Sequence, residues 1–98
     1  MTKVQILIVE DELIVAEDIR FTLTHLGYDV IAIASTGEDA IEIAELRHPD
    51  LILMDIMLAG KIDGITTAER IHARQDIPVI YVTAYADETL LQLSLIHI

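Results

Sequence analysis

Leu51-Ile-Leu-Met-Asp55 is apolar at four successive positions and then ends on a carboxylate. A run of this kind suits a strand of a parallel sheet with both faces covered. The character of the chain changes at once. Residues 56–64 carry two glycines, a lysine and the pair Asp63-Gly64, the composition of a loop. In open parallel sheets, ligands bind just beyond the carboxyl ends of the strands. Asp55 is therefore expected to be a reactive carboxylate at a strand tip.

The rest of the chain supports that sheet. Val4–Val9 is a second β-branched run, ending in Glu10-Asp11-Glu12. Val15, Ile19 and Leu23, widened by Ala16 and Leu26, then recur at helical spacing, and Gly27 is placed to end the helix as a left-handed cap. Glu12 is expected in its first turn, where the dipole favours an acid. Tyr28–Ala34 reads as a strand. Thr36 and Asp39 form a variant capping box before a helix over 38–47, with Ala40, Ile41, Ile43 and Ala44 inward, and Pro49 stops it. Asp63 is expected to cap a third helix over 65–73, with Ile65, Ala68, Ile71 and His72 at helical spacing. Ile77–Val82 is a fourth strand with its proline near the start. Asp87-Glu88 opens a fourth helix. The β-α-β-α-β-α-β alternation predicts an α/β fold: a doubly wound parallel sheet with right-handed crossovers.

Composition narrows the function. At 98 residues and 53% hydrophobic, the chain can bury the core of one small domain. No apolar run approaches the ~20 residues of a membrane span. The absence of cysteine excludes thiolate metal sites and fits a cytoplasmic protein. Six basic against seventeen acidic residues give a net charge of −11, a field that repels nucleic acid and favours a divalent cation wherever acids converge.

Three strand tips carry polar groups: Glu10-Asp11, Asp55 and Thr83. Carboxylates at ~4 Å repel by ~4 kcal/mol per pair at an effective dielectric of ~20. Either a cation offsets this or one acid keeps a proton. A hard cation with oxygen ligands fits best, and Mg²⁺ would retain open positions for a phosphate. Thr83 and the amide of Ala84 could donate to its oxygens. Taken singly, Glu10-Asp11 also reads as a solvated helix entrance, Asp55 as a turn acid and Thr83 as a strand former. Met54 and Met57 read as packing residues, and His25, His48, His72 and His97 as surface or helix-flank residues without metal spacing.

Four motifs together resemble the receiver domain of two-component response regulators: Ile6-Leu-Ile-Val-Glu-Asp-Glu12, His48-Pro-Asp-Leu-Ile-Leu-Met-Asp55, Asp63-Gly64 and Ile77-Pro-Val-Ile-Tyr-Val-Thr-Ala84. The resemblance implies a flavodoxin-like strand order, 2-1-3-4, with the family's fifth strand and fifth helix absent from this chain. It implies that Asp55 accepts a phosphoryl group from a sensor histidine kinase or phosphotransfer domain. By the same resemblance, Glu10, Asp11, Asp55 and the backbone carbonyl of Met57 hold Mg²⁺, and Thr83 is the switch hydroxyl. The output would be a protein-interaction face presented to an effector or a fused output domain, with no turnover beyond slow self-phosphorylation and self-dephosphorylation.

The chain also departs from the family pattern. Leu58-Ala59 replaces the common Met-Pro, Asp63 comes one residue late, and Met57 and Tyr85 occupy positions that tune phosphoryl lifetime. No lysine follows Lys61, where the family has one that contacts the phosphoryl group. The resemblance is expected to cover residues 1–91 as an incomplete receiver, leaving 92–98 as a non-matching tail. That tail would continue a helix from Asp87 or, as the weaker alternative, lie along the fourth strand. Two rival functions are a pseudo-receiver that binds proteins without phosphoryl chemistry, and an aspartate-nucleophile phosphatase. The second would need an acid where Met57 stands.

Overall fold

The computed structural model describes residues 3–82 and 96–97. Strands β1 (Gln5–Val9), β2 (Asp29–Ala34), β3 (Leu51–Asp55) and β4 (Val79–Val82) form a parallel sheet in the order 2-1-3-4. Helices α1 (Leu13–His25), α2 (Gly37–Arg47) and α3 (Gly64–His72) connect them. The expected doubly wound order is thus present. A two-residue strand, β5 (Ile96–His97), lies antiparallel along β4, pairing His97 with Tyr81 and Ile96 with Val82. The weaker alternative for the tail therefore applies to these two residues, and they shield part of an edge that would otherwise present free backbone groups. The expected helix from Asp87 lies outside the described residues.

Alternation along the strands explains the two-sided burial. Leu7, Val9, Ile52 and Met54 point to one face, where they pack with Ala40 and Ala44 of α2 and Ala68 and Ile71 of α3. Ile6, Ile8 and Leu53 point to the other, against Ala16, Ile19 and Leu23 of α1. A strand buried on both sides has no position for a polar residue until it leaves the sheet, which is why β3 is apolar up to Asp55.

Local chemistry sets the helix ends. Thr36 accepts a hydrogen bond from the amide of Asp39 at 3.1 Å, and Asp63 accepts one from Thr66 at 2.7 Å, so both expected caps form. Gly27, at φ +97°, follows α1 in the left-handed conformation. His48 also adopts positive φ, 46°, as the C-cap of α2, a feature that Pro49 had concealed.

Several expectations need correction. Glu12 is the N-cap of α1 rather than a first-turn residue, and its side chain makes no cap bond. Leu26 is exposed because it lies past the last turn, off the buried stripe. On α3 the inward residues are Gly64, Thr67, Ala68 and Ile71, so Ile65 and His72 face outward. Met54 is fully buried as a packing residue, but Met57 is exposed because it sits in the loop beyond the sheet.

Candidate metal and phosphoryl site

Register brings the acids together. Val9 pairs with Met54 across β1 and β3, so the residues that follow, Glu10 just past the end of β1 and Asp55 as the last residue of β3, stand side by side. Glu10 is anchored at its amide by the carbonyl of Ala34, at the tip of β2 (2.9 Å). Asp11 follows on the loop into α1. The ligand oxygens of Glu10, Asp11 and Asp55 lie within 4.8 Å of one another. Glu10 and Asp55 are buried, and Asp11 is exposed.

That geometry has an electrostatic cost. Burial raises the carboxyl of Glu10 from its ordinary 4.5 to about 8, reinforced by a side-chain hydrogen bond with Asp55 and by the charges of Asp55 and Asp11. One bond opposes the rise, from the amide of Glu12 to Glu10 Oε1 at 3.2 Å. In the metal-free protein this rise favours a proton on Glu10, which lessens the repulsion within the trio. The residues fit a hard divalent cation on their own chemistry. They offer only oxygen ligands, two of them desolvated, and their repulsion would be relieved by a positive charge at their centre.

The loop after β3 is tied down at both ends. The amide of Met57 donates to Asp55 Oδ1 at 2.9 Å, which fixes one face of that carboxylate. Leu58 is buried in the core beside α2 and α3, a role that sequence comparison with Met-Pro did not reveal. At the far end of the loop, the amide of Thr66 holds the Asp63 carboxyl below its usual range.

Val82 pairs with Asp55, so β4 ends beside the cluster. Thr83 and Ala84 follow it and lie outside the described residues, as does Tyr85. Among the described residues, no helix is long and apolar enough to cross a membrane.

Residues 6–96 match the family of the response regulator receiver domain. The chain is 34% identical over 88 residues to the transcriptional regulatory protein PdtaR of Mycobacterium tuberculosis, covering 90% of this chain and 42% of the relative. It therefore spans about two fifths of that relative's length. Among solved structures, it resembles the signal receiver domain of a modulated diguanylate cyclase from Desulfovibrio desulfuricans G20. The TM-score is 0.80 at 40% identity, covering 93% of this chain and 72% of that one. It also resembles the anti-anti-sigma factor PhyR of Bartonella quintana, solved in complex with the anti-sigma factor NepR. That likeness has a TM-score of 0.79 at 39% identity and covers 91% of this chain and 36% of PhyR.

Proposed function

Since the chain belongs to the response regulator receiver family of two-component signalling, we propose that Asp55 is its phosphoacceptor and that the acidic trio is its Mg²⁺ site. The observation that carries this reading is the convergence of Glu10, Asp11 and Asp55 within 4.8 Å at the carboxyl edge of the sheet. Glu10, Asp11, Asp55 and the main-chain carbonyl of Met57 would hold the ion. Bound there, Mg²⁺ would neutralise charge on the transferring phosphoryl oxygens.

The chain's own residues do the rest. The Met57 amide holds Oδ1 and so orients the Asp55 carboxylate. A carboxylate oxygen of Asp55 forms the new bond to phosphorus as the phosphorus–nitrogen bond of a phosphohistidine breaks, and the imidazole keeps that electron pair. Glu10 would give up its proton to serve as a ligand. Thr83 and the amide of Ala84 are proposed to hold the phosphoryl oxygens. A change of charge at Asp55 would then bias the protein between two conformations.

The phosphodonor would be a sensor histidine kinase or a phosphotransfer domain in the cytoplasm. The complex of PhyR with NepR supports a protein effector as the downstream partner. The net charge of −11 supports the view that this segment does not itself contact nucleic acid.

Incubation with acetyl phosphate, followed by intact mass, tests the proposal. One phosphoryl group is expected with Mg²⁺ and none with a chelator. No adduct under either condition would favour a pseudo-receiver, and continuous phosphate release would favour a phosphatase.

A further inference from the structure

Gly64 combines two properties that an ordinary turn glycine does not share. It is the first residue of α3, and its backbone lies outside the left-handed region, so no conformational reason requires glycine there. Alanine would take the same backbone and favour the helix. Yet Gly64 is buried, and a Cβ at this position would stand 2.1 Å from the carbonyl oxygen of Asp55, 3.0 Å from its carbonyl carbon and 3.1 Å from Met54 Cγ. Two of these three atoms are main chain. They cannot swing aside as the end of a side chain can.

We infer that Gly64 is a positioning residue for Asp55. Its missing side chain lets the start of α3 seat against the main chain of the phosphoacceptor, and that seat sets where the carboxylate stands relative to Glu10 and Asp11. The inference rests on the reading of the trio as the metal and phosphoryl site. The intervening loop strengthens it. The loop leaves Asp55 through the Met57 amide bond and returns to Asp55 through Gly64, so the residue is braced from both directions. An added methyl group at 64 would have to move either α3 or the strand tip itself.

Gly37 provides the contrast within the same molecule. It too is buried at the first position of a capped helix, and a Cβ there would meet Thr67 Oγ1 at 2.2 Å and Ile62 Cγ1 at 2.6 Å. Those atoms belong to side chains, and none belongs to the acidic trio. Alanine at 37 is thus a packing insult without a direct line to Asp55.

The test compares the full chain with Gly64→Ala, Gly37→Ala and Asp63→Ala. Mg²⁺ affinity is measured by calorimetry, and phosphoryl uptake from acetyl phosphate at saturating Mg²⁺. Gly64→Ala is expected to weaken Mg²⁺ binding about tenfold or more, the range for residues that orient ligands, and to slow uptake even when saturated. Gly37→Ala and Asp63→Ala are expected to unfold at lower urea while keeping near-native Mg²⁺ affinity. Native affinity in Gly64→Ala, or an equal loss in all three variants, would overturn the inference and leave the site reading intact. A wild-type chain that binds no Mg²⁺ would overturn both. If Gly64→Ala is unfolded without metal, Mg²⁺-driven refolding followed by circular dichroism replaces calorimetry. Refolding at concentrations that saturate the wild type would overturn the inference; failure there, where Gly37→Ala refolds, supports it.

Discussion

The two ends of the sheet hold acids under opposite conditions. At the amino end, Asp50 precedes β3 and accepts the Gln5 amide at 2.7 Å through its side chain, while its own amide donates to Gln5 O at 2.8 Å. It is exposed, and water shares its charge. At the carboxyl end, Glu10 and Asp55 are buried with Asp11 close by, and without a cation burial and the neighbouring acids push the Glu10 carboxyl up. The same residue type is thus an inexpensive strand-end anchor at one edge and a source of repulsion at the other. A net charge of −11 says only that acids are plentiful; convergence and desolvation are what make some of them a site.

Exchanging carboxylates for amides at each end should give the widest separation. Asp55→Asn is expected to abolish phosphoryl uptake and to lower Mg²⁺ affinity about a hundredfold or more. One charge at ~4 Å from a cation contributes ~4 kcal/mol or more at an effective dielectric of ~20. Asp50→Asn should leave both unchanged. Equal effects from the two substitutions would erase the distinction between the ends.

Stability without metal should change in opposite directions. At pH 8.5 in a chelator, Glu10→Gln is expected to stabilise the fold by ~1 kcal/mol, because a neutral amide relieves the buried repulsion. Asp50→Asn is expected to cost about 0.5–1 kcal/mol through a weaker bond to the Gln5 amide. Urea unfolding measures both. The same contrast has a pH signature. Folded Glu10 binds its proton up to about pH 8, whereas its ordinary value is 4.5, so between these values the folded form holds more protons than the unfolded. Metal-free stability should therefore fall as pH rises across that window. Saturating Mg²⁺ should reduce the slope, and Glu10→Gln should remove it. The smallest effect belongs to Asp63→Ala, a modest loss of helix stability with Mg²⁺ affinity retained.

Much of the carboxyl edge was legible because each strand runs apolar until its tip. Glu10, Asp11 and Asp55 could then be placed on one edge from the alternation of strands and helices alone. The caps were legible as well, since Thr36 and Asp63 act through local geometry. Other features depend on tertiary distance. Nothing in Asp63-Gly64 distinguishes a turn glycine from one pressed against Asp55. Nothing in Leu58-Ala59 marks Leu58 as a core residue rather than a loop variant. Met54 and Met57 are the same residue type three apart, and only the end of β3 between them makes one buried and the other exposed.

The most direct test of the account is to locate the phosphoryl group. Wild-type chain labelled by acetyl phosphate in Mg²⁺ is digested at acidic pH, and the modified residue is identified by tandem mass spectrometry. A single modification, at Asp55, is expected. A phosphoryl group on Asp50, Glu10 or Asp11, or on a histidine, would contradict it.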